Sequence, residues 1–384
     1  MIRVRRWPVA VFAGAAMFLL HGIVRHSVTQ AQAVTEENAI PDNSIAILVS
    51  SKLLPAEPIK EDERNEHAGI VYSVRFSPDG KTLATGWGDG TIRIWDVASR
   101  KNIAAFVSPK SDGNPDETIL IRSVAFSPDG KTLASANTGG SSWGMIRLWD
   151  LATGKNIAAF NGQQNQNSRV LSGIYCVVYS PDGKKLASGH EDNLIRVWDA
   201  ASGEIVNTFQ AGDDDCGYAV AFSPNGETLA SGGHGGVISL WDMTSGEKKS
   251  IIKAVGSGNS VTSLTYHPDG KTLGAGCWME GGGMLWDVAT GKNIAKLKPD
   301  RVYSEIAQNI NDMTYSVAFS SNGQSFAQGC DNGLIVLWDV NSHAITSVLY
   351  GHANLVRSID FSPDGNTLVS GGIDGTVRLY RKWF

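Results

Sequence analysis

The unit that decides the fold covers residues 71–96 and reads VYSVRFSPDGKTLATGWGDGTIRIWD. A strand-like run from Val71 to Phe76 leads into the turn Ser77-Pro78-Asp79-Gly80, and a second run follows from Thr82 to Thr85. In such a turn Pro presets φ, Asp bonds its own backbone, and Gly accepts a positive φ. A third run ends in Trp95-Asp96. The unit therefore predicts three strands joined by tight turns.

The same unit recurs seven times along the chain, which is typical of a repeat architecture. Its turns occupy residues 77–80, 127–130, 180–183, 223–226, 267–270, 320–323 and 362–365. The Trp-Asp dipeptides begin at Trp95, Trp149, Trp198, Trp241, Trp286 and Trp338, with Leu379-Tyr380 in the seventh place. The 43 Gly and 11 Trp among 384 residues also suit many short strands joined by turns.

Through these ordered turns and dipeptides, residues 67–384 resemble the Trp-Asp repeat β-propeller family. The resemblance implies an all-β fold, a seven-bladed β-propeller of four-stranded antiparallel blades. The final repeat stops at Phe384, before an outer strand. By the family's pattern, an N-terminal strand closes the ring by pairing with the last blade. The best candidate within segment 34–66 is Ser44 to Ser50.

Residues 1–33 have the layout of a secretory signal peptide. Three arginines precede an apolar run from Pro8 to Leu20, and Ala31-Gln32-Ala33 offers small residues for cleavage after Ala33. We therefore expect an exported protein that is periplasmic, attached to the cell envelope or secreted. An uncleaved membrane anchor is the alternative, although the apolar stretch is interrupted by His21 and is shorter than the about 20 residues normally needed to span a bilayer.

Signatures of metal, cofactor or catalytic sites are weak in this sequence. The formal net charge of −5 disfavours nucleic acid as a partner. Asp213-Asp214-Asp215 lacks the spaced ligands of a calcium loop. The Gly-rich run at 232–236 is not followed by the Lys-Ser or Lys-Thr of a phosphate-binding loop. We therefore expect no metal and no cofactor.

The four cysteines are compatible with disulfides in an exported protein. Cys277 and Cys330 occupy the same position in successive repeats, and adjacent blades separate such positions by about 10 Å, beyond disulfide reach. We expect buried free thiols there. A disulfide between Cys176 and Cys216 stays open.

Two repeats contain a set of His, Ser or Thr, and Asp that superficially resembles a catalytic triad. The family resemblance assigns these side chains to buried hydrogen bonds that stabilise a blade. The first set is His67, Thr85, Asp89 and Trp95, and the seventh is His352, Ser370 and Asp374 with Tyr380 in place of Trp. We therefore expect no catalytic residue in either set.

The spacing between landmarks separates the two faces of the expected ring. The Ser-Pro-Asp-Gly turns and the turns after Trp-Asp share one face in the family, and here they are short and nearly uniform. The irregular connections fall on the other face, at 107–120, 136–144, 161–173, 276–283 and 298–314. Loops that depart from a repeat consensus commonly carry binding.

Aromatic and basic residues predominate at one position of the first strand, near the channel mouth on the irregular face. This position is held by Tyr72, Arg122, Tyr175, Tyr218, Thr262, Tyr315 and Arg357. Tyr and Arg dominate binding hot spots, so the pattern predicts that the tyrosines and arginines contact a partner. Packing between blades, against the mostly small residue that follows, is the alternative.

Further aromatic and histidine side chains extend the predicted binding rim. They are Trp87, Trp143, Trp278, His190 and His234, all in or near turns that precede a third strand. An aromatic rim around a channel mouth suits a protein, peptide or polysaccharide partner. The alternative is that each Trp caps the edge of its blade.

Together these patterns predict a monomeric, non-enzymatic scaffold that binds a protein or peptide on its irregular face. One alternative is an exported hydrolase or lactonase, in which Asp360, His190 and Asp331 would approach the channel. Another is a glycan-binding module that uses the tryptophans.

Overall fold

The computed structural model describes residues 44–48, 67–110, 118–138, 144–161, 173–211, 217–256, 259–278, 282–298 and 313–381. The strands in these ranges form seven four-stranded antiparallel sheets. The predicted all-β, seven-bladed propeller is thereby confirmed. Among the described residues, no helix has the length and apolar character needed to cross a membrane.

One strand, β1 (Ser44–Leu48), precedes the repeats. Each of the first six blades then consists of four consecutive strands. Blade 1 contains β2 (Val71–Phe76), β3 (Thr82–Trp87), β4 (Thr91–Asp96) and β5 (Lys101–Val107). Blade 2 contains β6 (Leu120–Phe126), β7 (Thr132–Thr138), β8 (Met145–Asp150) and β9 (Asn156–Asn161). Blade 3 contains β10 (Ile174–Tyr179), β11 (Lys185–His190), β12 (Leu194–Asp199) and β13 (Ile205–Gln210).

The next three blades repeat this arrangement. Blade 4 contains β14 (Gly217–Phe222), β15 (Thr228–Gly233), β16 (Val237–Asp242) and β17 (Lys248–Lys253). Blade 5 contains β18 (Val261–Tyr266), β19 (Thr272–Cys277), β20 (Gly282–Asp287) and β21 (Asn293–Leu297). Blade 6 contains β22 (Thr314–Phe319), β23 (Ser325–Cys330), β24 (Ile335–Asp339) and β25 (Ile345–Leu349).

Blade 7 joins the two ends of the propeller. It contains β26 (Val356–Phe361), β27 (Thr367–Gly372), β28 (Val377–Arg381) and β1. Strand β1 runs antiparallel to β28 and pairs Ser44 with Tyr380 and Leu48 with Val377. The predicted ring-closing strand is therefore confirmed, and β28 is paired instead of forming an open sheet edge.

The first strands of the blades contact one another in a closed cycle, from β2 through β6 to β26 and back to β2. They therefore surround the central axis, and the later strands of each blade lie farther out. Because neighbouring strands are antiparallel, every connection lies on one of two faces. We call the face with the Ser-Pro-Asp-Gly turns the turn face and the opposite one the loop face.

The turns of the turn face are stabilised by internal hydrogen bonds, and they pack on the neighbouring blade. Ser77 Oγ donates to Asp79 Oδ1 at 2.6 Å and accepts from the Thr82 backbone N–H at 3.0 Å. Gly80 has a φ of 70°, and a Cβ there would lie 3.3 Å from the ring of Pro363 in blade 7. The regular turns thus serve the assembly of the ring.

The apolar core lies between successive blades. The Trp149 ring stacks on Phe106 of blade 1 with ring centres 5.4 Å apart, and Trp241 stacks on Phe209 of blade 3 at 4.6 Å. All four rings are buried. Since each blade covers its apolar face with the preceding blade, stability depends on neighbouring repeats.

Serine hydroxyls link the innermost strands of adjacent blades. At five junctions the Ser Oγ accepts a hydrogen bond of 3.0 to 3.1 Å from a backbone N–H of the next blade. These pairs are Ser73 with Val124, Ser123 with Val177, Ser263 with Val317, Ser316 with Ile359 and Ser358 with Val74. At the other two junctions the position is held by Cys176 and Ala219. The serine that follows five of the predicted ring residues therefore bonds neighbouring blades together.

Cys277 and Cys330 are buried free thiols, as predicted. Burial raises the pKa of both to about 12, so neither thiol ionises readily. Cys216 lies outside the described residues, and with it the disulfide to Cys176.

Candidate partner-binding site

Each of the seven predicted ring positions is the extra residue of a β-bulge. In blade 1, Val71 pairs with Trp87 and Ser73 pairs with Gly86, so Tyr72 has no counterpart on β3. The same register shift recurs in the first strand of every other blade. A bulge bends its strand and redirects the side chain of the extra residue. This displaces the seven ring residues from the regular ladder at the loop-face end of the innermost strands.

Four of these residues form a continuous line of alternating rings and guanidinium groups. The Arg357 guanidinium carbon lies 5.5 Å from the Tyr315 ring centre and 5.8 Å from the Tyr72 ring centre. The Arg122 guanidinium carbon lies 4.4 Å from the Tyr72 ring centre. All three distances lie within the range of cation–π attraction. We call Tyr315, Arg357, Tyr72 and Arg122 the Tyr-Arg arc, which spans blades 6, 7, 1 and 2.

Hydrogen bonds and burial hold the Tyr-Arg arc in place. The Tyr72 hydroxyl is 3.1 Å from His67 Nδ1, and Arg122 Nε donates to Thr138 Oγ1 at 3.0 Å. Tyr72 is only 7% exposed, whereas Arg122, Tyr315 and Arg357 are half-buried. Three of the four side chains are therefore partly exposed and are held in place by the buried Tyr72, which lowers the entropy cost of binding.

Burial raises the pKa of the Tyr315 phenol. The Arg357 guanidinium and the Trp278 side chain oppose this effect, and the Asp331 carboxylate adds to it. Trp278 is half-buried and its backbone N–H donates to the Ser260 carbonyl at 2.8 Å. This predicted rim residue therefore adjoins the blade 6 end of the Tyr-Arg arc.

The structure places two further predicted site residues, Tyr175 and His234, in other blades. Tyr175 is half-buried in blade 3. His234 Nδ1 lies 2.9 Å from Ser260 Oγ, and burial lowers the pKa of its imidazole. The Tyr218 side chain and Trp143 lie outside the described part of the chain, as do the central residues of all five irregular connections.

Trp87 and His190 differ from the predicted rim, because both are buried inside their blades at 3% and 1% exposure. Trp87 Nε1 donates to Thr85 Oγ1 at 2.7 Å. His190 Nε2 lies 2.7 Å from Ser188 Oγ, and burial lowers the pKa of His190 to about 3. Their positions fit the alternative, in which such residues complete a blade. Both side chains are too deeply buried to belong to a binding surface.

The polar set of blade 1 also differs from prediction in two members, His67 and Asp89. Thr85 Oγ1 accepts from Trp87 Nε1 at 2.7 Å and from Trp95 Nε1 at 2.9 Å, and donates to the Arg93 carbonyl at 3.2 Å. One donor and two acceptor sites fill its capacity. His67 instead bonds to Tyr72, and Asp89 pairs with Arg93 at 2.6 Å. The Trp87 indole thus takes the place expected for the histidine.

In blade 7, a histidine joins the hydroxyl and the carboxylate directly. His352 Nε2 lies 2.6 Å from Ser370 Oγ, and His352 Nδ1 lies 3.0 Å from both oxygens of Asp374. Ser370 and the His352 ring are buried, and Tyr380 is 3% exposed. The hydrogen bond from His352 lowers the pKa of Asp374, against burial that raises it. This geometry satisfies buried polar groups inside the blade.

The groups considered for a hydrolase are dispersed. Asp360 lies near the turn-face end of β26, where its carboxylate accepts from the Phe76 N–H at 2.8 Å and burial raises its pKa. His190 is enclosed in blade 3, and Asp331 lies beside Tyr315. Within the described ranges, no group of three His, Cys, Asp or Glu residues is arranged to hold a metal.

Comparison with known proteins agrees with this architecture. The model of the family "WD domain, G-beta repeat" matches residues 60–96, 111–150, 162–199, 203–242, 308–339 and 344–381. The chain belongs to this WD40 family. Blade 5 lies between the fourth and fifth matched segments, and it completes the ring with the same four-stranded topology.

Several curated proteins resemble the chain over different lengths. A guanine nucleotide-binding protein subunit beta from Oryza sativa subsp. japonica is 24% identical over 328 residues, covering 82% of this chain and 70% of that protein. Nuclear distribution protein nudF from Aspergillus niger is 28% identical over 334 residues, covering 82% of this chain and 59% of that protein. The match to guanine nucleotide-binding protein subunit beta-1 from Nicotiana tabacum is 29% identical over 133 residues, covering 34% of this chain and only 32% of that protein.

Proposed function

We propose that the protein is a non-enzymatic scaffold that binds a protein or a peptide on its loop face. The observation that carries this proposal is the Tyr-Arg arc, where two tyrosine rings and two guanidinium groups from four blades meet. Tyr and Arg combine a large contact area with directional hydrogen bonds, and they are enriched in binding hot spots. The relatives named as β subunits of guanine nucleotide-binding proteins support a role in assemblies.

The two faces have different structural roles, and this difference also favours the loop face as the side that binds the partner. On the turn face, Gly80 packs on Pro363 and Gly183 packs on Pro128, so these turns contribute to contacts between blades. On the loop face, the bulged positions bring Tyr72 and Arg122 out of the regular ladder. A rigid ring that presents a preorganised polar and aromatic surface loses little entropy on binding.

Three acidic side chains of the loop face are already used inside their own blades, which favours binding over catalysis. Asp89 pairs with Arg93 and Asp192 pairs with Arg196. Asp374 is bonded to His352. These interactions use the acids within their own blades, so they do not supply a general acid and base to the channel mouth.

We further propose that this scaffold works outside the cytoplasm as a monomer, without nucleic acid as a partner. Support comes from the arrangement of residues 1–33 and from the net charge of −5. Intact mass spectrometry of the protein from fractionated cells of its native host tests the location. We expect an exported chain that begins at Val34. An intact N-terminus in the membrane fraction would support the anchor, and an intact cytoplasmic chain would contradict export.

Capture from a cell-envelope extract tests the binding role. The full chain is compared with the double variant Arg122→Gln and Arg357→Gln on the loop face. Its matched control is the double variant Lys131→Gln and Arg381→Gln, which removes the same charge from exposed residues of the turn face. We expect the loop-face variant to lose proteins that the control retains. Equal capture by all three, or capture of glycans alone, would contradict the proposal.

A further inference from the structure

Two arginines inside the blades are paired with carboxylates, and they can be compared with the arginines of the Tyr-Arg arc. Arg93 pairs with Asp89 and Arg196 pairs with Asp192, each with a nitrogen to oxygen distance of 2.6 Å. Both arginines are buried and lie four residues after the carboxylate. A buried guanidinium without a partner is strongly unfavourable, so the fold supplies an acid within the same turn.

Arg122 is held in a different way. Its Nε donates to Thr138 Oγ1 at 3.0 Å, and its guanidinium carbon lies 4.4 Å from the centre of the Tyr72 ring. Across the parts of the chain that the structure describes, no carboxylate forms an ion pair with it. One hydrogen bond and one ring therefore position a half-buried guanidinium whose terminal N–H groups suit a carboxylate.

The charges around the arc differ between its two ends. Arg357 lies on the Tyr72 ring as well, at 5.8 Å, so two guanidinium groups flank this ring. At the blade 6 end, burial raises the pKa of Tyr315 and the neighbouring Asp331 carboxylate raises it further. A negatively charged ligand is therefore attracted to the part of the arc around Tyr72, where Arg122 and Arg357 both lie.

We infer that the partner presents an acidic peptide, whose Asp or Glu carboxylate binds the Arg122 guanidinium beside Tyr72. This inference rests on the proposed function, because it assigns a partner chemistry to the same surface. The planar guanidinium matches a carboxylate with two parallel hydrogen bonds, which a lysine cannot reproduce.

Fluorescence anisotropy with defined peptides tests this chemistry on the full chain. The probes are three labelled peptides of sequence Gly-Ser-Leu-X-X-Leu-Ser-Gly, in which both X residues are Glu, Gln or Lys. We expect the Glu peptide to bind at least about tenfold more tightly than the Gln peptide at about 0.1 M salt. The Lys peptide should bind most weakly, and the preference for Glu should shrink at about 1 M salt.

Three variants assign the effect to Arg122. Arg122→Gln should abolish the preference for the Glu peptide, and Arg122→Lys should retain part of it because the charge remains. Arg381→Gln removes the same charge from an exposed residue at the turn-face end of β28 and should change nothing. Thermal unfolding of each variant shows whether the fold is intact.

Several outcomes would overturn the inference. They are equal affinity for the Glu and Gln peptides, no binding of any probe, or a Glu preference that persists in a folded Arg122→Gln variant. The proposed function has a separate test, because photo-crosslinking from position 315 on the loop face detects a bound protein whatever its charge. Loop-face capture without a Glu preference would overturn only the acidic-peptide assignment.

Discussion

The guanidinium carbon of Arg122 lies 4.4 Å from the centre of the Tyr72 ring, although the two residues belong to different blades. Both are the extra residues of β-bulges. The contact therefore joins two redirected side chains at the channel mouth on the loop face. We expect it to couple the stabilities of blades 1 and 2 directly.

A double-mutant cycle measures this coupling. We predict that Tyr72→Leu and Arg122→Met together lower the free energy of unfolding by about 0.5 to 1 kcal/mol less than the sum of the single effects. Urea denaturation of the four proteins provides the values. The cycle of Tyr72→Leu with Lys131→Met is the control, because Lys131 is exposed on the turn face, and its coupling should be near zero. Additivity in the first cycle would contradict the contact.

Because β1 closes the ring, we predict that a chain without β1 is less stable. A chain that begins at residue 49 loses the ladder that pairs Ser44 to Leu48 with β28. We expect its free energy of unfolding to fall by about 3 kcal/mol, from several lost hydrogen bonds and an exposed sheet edge. A chain that begins at residue 44 is the control and should be as stable as one that begins at Val34. Equal stability of all three would show that β1 does not close the ring.

Blade 5 lacks a hydrogen bond that other blades possess. In blade 4, Trp241 Nε1 donates to Ser231 Oγ at 2.8 Å. Ala275 takes the equivalent place in blade 5, and the buried Trp286 Nε1 has no acceptor among the described residues. We predict that Ala275→Ser raises the free energy of unfolding by about 1 kcal/mol.

The control for this substitution is Ala230→Ser, which buries a hydroxyl in blade 4, where the tryptophan already has its acceptor. Thermal and urea unfolding should show a gain for Ala275→Ser and a loss or no change for Ala230→Ser. A loss in both variants would mean that blade 5 has no room for the hydroxyl.

Burial of His190 predicts a pH dependence of stability. Burial, aided by Arg196, lowers the pKa of His190 to about 3 in the folded protein, whereas an unfolded chain takes up this proton at about 6.5. The unfolded state therefore binds more protons between these values, and stability falls as the pH falls below about 6.5. At pH 5 the contribution amounts to about 2 kcal/mol.

Urea denaturation at neutral pH and at pH 5 checks this contribution. The variant His190→Asn introduces the residue that blade 2 carries as Asn137 at the same strand position. We expect its stability to fall less on acidification than that of the unchanged protein. The same fall in both proteins would show that His190 is already protonated in the fold or exposed to water.

The fold could be predicted because the residue types in its turns have known backbone preferences. Ser77-Pro78-Asp79-Gly80 and its copies recur at nearly constant spacing, and each copy ends one strand and begins another. The strand that closes the ring was visible as a strand-like run that begins at Ser44, since the last repeat needed an outer strand.

The geometry of the site depends on information that residue types do not carry. Counting from the turns places Tyr72 and Arg122 at one level of the channel. The bulges that redirect them arise from the register between the first two strands of each blade, for which no residue type is required.

The burial of Trp87 and His190 could have been predicted from the sequence, but not from the lengths of the loops. Each residue lies two positions after a hydroxyl residue of its strand, Thr85 or Ser188, so both side chains share one face of the sheet. A large polar ring at that spacing can donate to or accept from the hydroxyl inside the blade.

Site-specific photo-crosslinking tests most directly whether the loop face holds the partner. Tyr315 is replaced by p-benzoylphenylalanine at the mouth, and in a separate protein Lys131, whose side chain is 79% exposed on the turn face, is replaced in the same way. After irradiation in cell-envelope extract, we expect a covalent adduct with a protein from position 315 and none from position 131. Adducts from position 131 alone, or none from position 315, would contradict it.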